Sequence, residues 1–527
     1  MKGHLAPHER VHHAPQLAWR ERTMLDLQTY APPLAAVEPF ELILLVTALS
    51  ACILMSMVSS TITRGRAASR AATAEDPAQH AREELVYAKL RNTYIPIYAL
   101  ATFGDWIQGG YLYALYAEYG YSMNQIALIF VVGYGSAATL GTYVGALGDV
   151  GGHKRNCIAY GILYACSCLM CNSASFVMLS IGRLLGGVAY SILYTSFESW
   201  LIAEADASGA PRSMLSRLFA LATFCNASSA VIAGIVGHVA VEVLTQDARN
   251  RFVSAFNVAA AVLALASSLV ASRWTERYGD QSVSAVASLA KSCESIRGRY
   301  VLLALGLVNS LYEAALYVFV FMWTPSLERR AATVGVQMGH GLVFAIFMLC
   351  KMAGSQGFHL LSLSLSPTAC LQVVFLGSAV CLLVPLVTED YQLLLVAFCT
   401  FEALLGVYWP AIALVRSAEI SDAQRSSTMA VFRSLLNGLV IGVLLLVGHL
   451  PENLIFGIAL AMLLTCAANM SIIQASEVRP DAPTNAEGAQ LITTPPRDTD
   501  HALGPPASRF ELRPIKEPAY TAIKEIA

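Results

Sequence analysis

Charge is what this chain has least of. Only 13% of its 527 residues are Asp, Glu, Lys or Arg, about half the roughly 25% of a soluble domain. Hydrophobic residues reach 56%, and the mean hydropathy of +0.55 averages over a polar head and a Pro-rich tail. The middle is therefore more apolar still and requires apolar solvent, which excludes a water-soluble fold and implies a polytopic membrane protein. An excess of one sign is also missing. A net charge of −2 offers no basic footprint for nucleic acid and no polyacidic tail, so the expected surroundings are a lipid bilayer and no nucleic acid. No phosphate loop, HExxH pair or nucleophile elbow is present, nor a paired His and Asp near a span boundary, so neither an enzyme nor a cofactor is expected.

The twelve cysteines lie almost entirely inside apolar runs, as with Cys166, Cys168 and Cys171 or Cys370, Cys381 and Cys399, and read as small packing residues. No His or carboxylate stands beside the first group, and no metal site is expected. The head carrying His4, His8, His12 and His13 reads as disorder.

What the chain does have is long apolar runs. A span takes about 20 such residues, and thirteen candidates are bounded by charge, Pro or Gly. Phe40–Met57 stands apart. Six follow: Tyr94–Ala117, Gln125–Leu147, Cys157–Asn172, Val177–Ala203, Leu218–Val241 and Phe252–Ala271. Beyond a charged connection come six more: Tyr300–Trp323, Gly335–Lys351, Ala369–Val387, Gln392–Val415, Met429–Gly448 and Leu454–Ile473. The expected organisation is a disordered head (1–38), an extra N-terminal transmembrane helix (39–58), a cytosolic linker (59–93), a six-helix half (94–271), a central cytosolic loop (272–299), a second six-helix half (300–475) and a disordered Pro-rich cytosolic tail (476–527). Six plus six about a longer loop is the layout of transporters built from two repeated halves, although no internal repeat is visible by eye.

Loop charge sets the orientation. One side carries Lys154, Arg155, Arg212, Arg217, Arg273, Arg277, Lys291, Arg297 and Arg299; the other holds mainly Arg249, Arg251, Arg329 and Arg330. The positive-inside rule puts the first set, the central loop and the C-terminus in the cytosol. The isolated first run then points outward as a retained span. A cleaved signal peptide is the alternative.

After the second of the twelve runs comes Gly145-Ala-Leu-Gly148-Asp149-Val-Gly151-Gly152-His153-Lys154-Arg155. It resembles the GxLxDxxGRK loop of the major facilitator superfamily, with His153 where the superfamily usually has Arg. The resemblance implies a gating loop built on Gly145, Asp149, Gly152, Lys154 and Arg155. Its glycines permit close helix approach, and Asp149 can cap a helix or pair with cations. Arg183-Leu-Leu-Gly186-Gly187 looks like the superfamily's RxxxG signature. The Gly-Pro pair of the antiporters is missing from the fifth helix, which offers Gly234 and Gly237; drug export is disfavoured accordingly.

Ionisable residues within spans cost a few kcal/mol each, so they face the bundle interior. They are Asp105, Arg183, Glu198, Glu313, Glu402 and Arg433, with Arg183 and Glu198 expected on one helix. Two readings stand: structural ion pairs joining helices, or arginines for an anion with one or more acids for proton coupling.

Asp105-Trp106-Ile107-Gln108 with Tyr111, Tyr113 and Tyr116, then Phe197-Glu198-Ser199-Trp200, Phe319-Val320-Phe321-Met322-Trp323-Thr324-Pro325, Glu402 with Gly406, Tyr408, Trp409 and Pro410, and Phe432-Arg433 together resemble the molybdate-anion transporter family from about Tyr94 to Gly448. That resemblance implies an all-α major facilitator fold and secondary active uptake of molybdate, with tungstate or sulfate as competing oxyanions. The protein is expected to be a monomer in the plasma membrane. An oxyanion suits the planar fork of arginine. Arg183, expected in the outer half, therefore ranks above Arg433, near the inner end, as substrate ligand. Gln108, Tyr113 and Asn309 are candidate neutral donors, and Asp105, Glu198, Glu313 and Glu402 are candidates for proton coupling or ion pairing. A carrier of sugar-like or other organic solutes, using Trp106, Tyr113, Glu313 and Trp409, is the competing transport reading. A membrane sensor that keeps the fold and moves nothing is the third.

Overall fold

The computed structural model describes residues 38–71, 77–243, 251–278, 294, 296–420 and 425–477, all helix and short connection. The His-rich head, most of the central loop and the Pro-rich tail lie outside the described residues. Fifteen helices are present among them: α1 Pro39–Ala71, α2 Pro77–Trp106, α3 Leu112–Glu118, α4 Met123–Gly151, α5 His153–Met170, α6 Phe176–Leu193, α7 Ser196–Ala207, α8 Arg212–Val243, α9 Val253–Arg273, α10 Tyr300–Thr333, α11 His340–Leu361, α12 Pro367–Val387, α13 Tyr391–Glu419, α14 Arg425–Val447 and α15 Glu452–Glu477. Every one of the thirteen apolar runs falls mainly on helix, the run from Gly335 only from His340 onward. By length and composition ten spans are long and apolar enough to cross a membrane, with Val431–Val447 of α14 a shorter apolar helix. The other two positions dilute their hydropathy, α2 with Arg82, Glu83, Glu84, Lys89 and Arg91, and α5 with His153, Lys154 and Arg155 at its start.

Two runs expected to be continuous are broken. The first half's opening span stops at Trp106 and resumes as α3 after a turn through Ile107–Tyr111; the fourth stops at Leu193 and resumes as α7. Arg183 and Glu198 therefore sit on two helical segments, contrary to the expectation of one. Breaks of this kind expose backbone where it lines a cavity, and transporters place binding sites there.

Within the first half α4 packs on α6, α5 on α6 and α9, and α2 on α8 and α9; within the second, α11 and α12 pack on α13, and α10 on α14 and α15. The halves meet along two seams, α8 against α11 and α4 against α14. Counting within each half, these are fifth against second and second against fifth, the reciprocal pairing of two repeats about a pseudo-two-fold axis. The repeat is thus visible in packing although not by eye in sequence. Helix α1 packs on α11, so the extra helix belongs spatially to the second half.

Helix α10 runs past its expected end at Trp323 and carries Arg329 and Arg330 within it. Arg330, expected in an outer loop, is 0% exposed. Its guanidinium donates to Glu452 Oε1 at 2.7 Å and to the carbonyls of Pro385, Ser326 and Thr388 at 3.0–3.3 Å, stapling the ends of α10, α12 and α15. Truncating it strands three carbonyls and leaves Glu452 with Arg329 alone, at 3.2 Å. Arg330→Ala is expected to destabilise the second half by about 3–5 kcal/mol, read as a fall in the thermal midpoint of the detergent-solubilised protein.

Candidate functional site

The end of the bundle at which α9 finishes and α10 begins is here termed the near face, the opposite end the far face. Contacts between halves cluster toward the far face. Asn124 at the start of α4 abuts Gly448, and a Cβ on Gly448 would lie 2.4 Å from the Asn124 Cβ. Gly341, at the start of α11, lies against the Gly234 carbonyl, the His238 amide and the Tyr111 hydroxyl. The Phe344 ring packs on Trp106, and Phe321 receives Tyr113 and Phe130 edge-on at 5.4 and 5.3 Å. Gly234 and Gly237, which stand where a Gly-Pro pair is missing, are used here for close approach, Gly234 to α11 and Gly237 to Tyr111. Just beyond the first span, burial raises the Glu118 carboxyl to about 7 against the opposing pull of Arg251.

Below this seal lies a recess. Tyr190 is 41% and Tyr194 38% exposed, although Asp105 and Tyr317 act on both, with Tyr134 beside Tyr190 and Tyr98 and Tyr164 beside Tyr194. Exposure amid such neighbours marks side chains lining a water-accessible cavity. Tyr134 and Tyr317, from opposite halves, meet at 5.0 Å between ring centroids and form its roof.

Arg183 projects into this region about 10 Å in from the far end of α6, seven residues at 1.5 Å each. Its guanidinium lies over the Phe130 ring at 5.4 Å, and Gly133 leaves room for it, since a Cβ there would stand 3.2 Å from Nε. The Arg183 Nε is buried and has no acceptor, and no ion pair forms to it among the described residues. Asp105 is its nearest acid in electrostatic terms, but one Asp105 oxygen is held by the Tyr164 hydroxyl at 2.6 Å. The RxxxG glycines explain the placement. Gly187 faces Ser136 and the Gly133 carbonyl, and Gly186 faces Ser167, so α6 sits tightly between α4 and α5.

In the second half, Asn309 donates to Glu313 at 2.9 Å and accepts from Arg416 at 3.1 Å, and Arg433 lies within electrostatic range of Glu313 and of Tyr317. The sequence reading missed Arg416, one residue past the expected end of its span. Lys351 was also missed. The expected run ended at Lys351, whereas α11 continues to Leu361 and places that lysine mid-helix with Nζ 5.5 Å from the Trp106 ring centroid. Glu41 of α1 is the third omission: 1% exposed, it accepts from the Tyr391 hydroxyl at 2.7 Å and from the Gly339 amide at 3.3 Å. Helix ends extended past the hydropathy boundary would have exposed the first two.

The remaining candidates do not join this group. Gln108 donates back to the Gly104 carbonyl at 3.0 Å, Tyr113 is committed to the far seal, and Glu198 lies beyond the α6–α7 break within range of Tyr98. Glu402 is buried in the second half opposite Lys351. The expected gating loop from Gly145 to Arg155 lies apart and is nearly all helix, the end of α4 and the start of α5 joined at Gly152. Gly152 adopts φ +106, and Glu276 occupies the space beside it, accepting from the Lys154 amide at 2.9 Å and pairing with Arg155 at 3.8 Å. The side chain of Asp149 lies outside the described ones; the acid seen beside this turn is Glu276, just after α9.

A profile of the family described as sugar transporters with 12 transmembrane segments matches residues 62–398. The molybdate-anion transporter of Xenopus laevis is 33% identical over 371 residues, 68% of this chain and 78% of that protein. The molybdate-anion transporter of Danio rerio is 28% identical over 473 residues, 80% and 94%. Among solved structures, nucleoside transporter NupG superposes with a TM-score of 0.57 at 12% identity over 74% of this chain and 100% of that one. A D-xylose–proton symporter does so with a TM-score of 0.57 at 13% identity, over 72% and 96%. At these identities the two structures speak for the fold alone.

Proposed function

Because this chain belongs to the molybdate-anion transporter family of the major facilitator superfamily, we propose that it carries molybdate into the cell by alternating access, with Arg183 as the principal anion ligand. The observation that carries the reading is the unpaired guanidinium. A charge held in a bundle interior costs several kcal/mol unless something compensates it, and no protein acceptor meets the Arg183 Nε. A tetrahedral oxyanion supplies that compensation through two parallel charge-assisted hydrogen bonds. Molybdate is favoured over other oxyanions by the names of the relatives, and Arg433 and Arg416 of the second half supply positive charge within range of Glu313.

The near face carries Lys154, Arg155, Arg217, Arg273, Arg277 and Arg299, so the positive-inside rule makes it cytosolic. The recess then opens to the cytosol beneath a closed outer seal, the state from which cargo is released inside. The two six-helix units, 94–271 and 300–475, are the rocking bodies, the plasma membrane is the site of action, and the unit of transport is one chain.

Organic-solute transport is the second reading, favoured by the aromatic lining of Tyr134, Tyr190, Tyr194 and Tyr317. Molybdenum accumulation by elemental analysis in molybdate-starved cells separates the two. Cells expressing the protein at their surface are expected to accumulate molybdenum above control cells, in the presence of excess sulfate as well. No rise despite surface expression removes the molybdate reading and leaves the organic-solute one.

A further inference from the structure

Glu402 stands outside the Arg183 group, in a setting that no anion-binding role explains. It lies where α11 and α13 cross in backbone contact: a Cβ on Gly354 would lie 1.9 Å from the Ala403 carbonyl oxygen, and one on Gly406 would lie 2.0 Å from the Lys351 carbonyl oxygen. The two glycines flank the carboxylate and hold the helices together beside it. Glu402 is 3% exposed, and its Oε2 has no hydrogen-bond partner. An ionised carboxylate so placed is costly unless a cation acts on it.

The groups facing it are few. From α11 come Lys351, the one cation acting on it among the described residues, and the Cys350 thiol. From α13 itself comes Cys399, which pairs with Cys350, and from α10 comes Tyr312, whose hydroxyl is within 3.4 Å of Ser378. From α12 no titratable side chain among the described residues acts on it. Lys351 forms no direct ion pair with Glu402. Its ammonium instead reaches toward the other half and lies against Trp106, the residue after Asp105, whose ring is fixed by a 2.7 Å hydrogen bond from Nε1 to Asn226. One lysine therefore stands at the meeting of the two halves, between a buried acid behind it and Trp106 of the other half in front.

Resting on the anion-transport reading above, we infer that Lys351 is a second anion-binding cation and that Glu402 is the proton site loaded when the anion draws Lys351 away. With the recess empty, the Lys351 charge offsets ionised Glu402. A dianion entering the recess recruits that ammonium, Glu402 loses its only countercharge in a dry helix crossing, and its carboxylate takes one proton from the water on the side of entry. Release of the anion returns Lys351 to Glu402 and expels the proton on the other side. The anion and proton travel together, which offsets part of the electrical work of moving a dianion into a negative interior.

The test is calorimetric titration of molybdate into the purified full-length protein near pH 7, in two buffers of different ionisation enthalpy, which reports protons bound per anion. About one proton is expected for the wild type, by linkage between ligand and proton binding. Glu402→Gln is expected to bind molybdate with proton uptake near zero. Lys351→Gln is expected to lose the proton signal and to weaken binding by at least about tenfold, one charge-assisted contact. Wild-type binding without proton uptake overturns the inference while leaving the transport reading intact, as does Glu402→Gln with wild-type proton uptake. Absence of molybdate binding by the wild type, at any pH, defeats the transport reading itself.

Discussion

Arg183→Ala is expected to abolish molybdate uptake while leaving the protein folded and at the cell surface. Both halves of this expectation come from the same geometry. The guanidinium makes no ion pair among the described residues, its Nε is unpartnered, and Asp105 keeps its bond to the Tyr164 hydroxyl when the arginine is gone. Truncation therefore takes one favourable charge from Asp105 but leaves its hydrogen bond, in contrast to Arg330, whose removal breaks a direct ion pair to Glu452 and strands three carbonyls. Loss of stability is limited to the contact with Phe130 and the through-space attraction to Asp105. The anion, by contrast, loses two charge-assisted hydrogen bonds of about 1.5–3 kcal/mol each, a reduction of roughly 100-fold or more at 1.4 kcal/mol per decade. Arg183→Lys does not restore it, since a single ammonium cannot present the planar fork. Elemental analysis of molybdenum, normalised to surface-labelled protein, reads the effect. Retention of more than half the wild-type uptake by Arg183→Ala would remove this residue from the site.

Hydropathy reports the environment of a whole turn of helix, and this explains what was legible in the sequence. All thirteen apolar runs lie mainly on helix because twenty apolar residues in lipid leave the backbone no other way to satisfy its hydrogen bonds. The breaks after Trp106 and Leu193 were overlooked because hydropathy averaged over a span hides a short interruption, although Gly109-Gly110 in the first is a turn signal. Charges near the ends of runs were misread for a different reason. Lys351, Arg416 and Arg330 each looked like a boundary, because a charge normally marks where a span leaves the membrane. Here each is compensated inside the bundle, by Trp106 and Glu402, by Asn309, and by Glu452, and the helix continues past it. Arg183 was legible because seven apolar or small residues precede it and four follow, leaving no reading as a boundary. Gln108 and Tyr113 shared its neighbourhood in sequence, but the break at Trp106 turns them to their own backbone and to the far seal.

Gly354→Ala and Gly406→Ala are expected to remove most of the protein from the surface, each alone, although alanine is the better helix former by about 1 kcal/mol. Helices in lipid gain nothing from burying apolar surface against one another. Their association rests on close packing, for which small residues are needed at the point of contact. At the α11–α13 crossing the added methyl would meet backbone, 1.9 Å from the Ala403 oxygen in one case and 2.0 Å from that of Lys351 in the other. Backbone cannot rotate away as a side chain does, so the helices must separate by more than an ångström. Separation loses the contacts along the whole crossing and admits water to Glu402, which the intact crossing keeps dry. Gly438 and Gly442 on α14 provide the comparison, because a Cβ at either meets nothing within 4 Å. Alanine at those positions should therefore leave expression at or above the wild-type level, following helix propensity alone. Fluorescence-detected size-exclusion profiles of the four variants decide the matter. A monodisperse peak at wild-type height for Gly406→Ala would mean that α11 and α13 are not in backbone contact. The dry setting on which the proton-carrying role of Glu402 depends would then be lost with it.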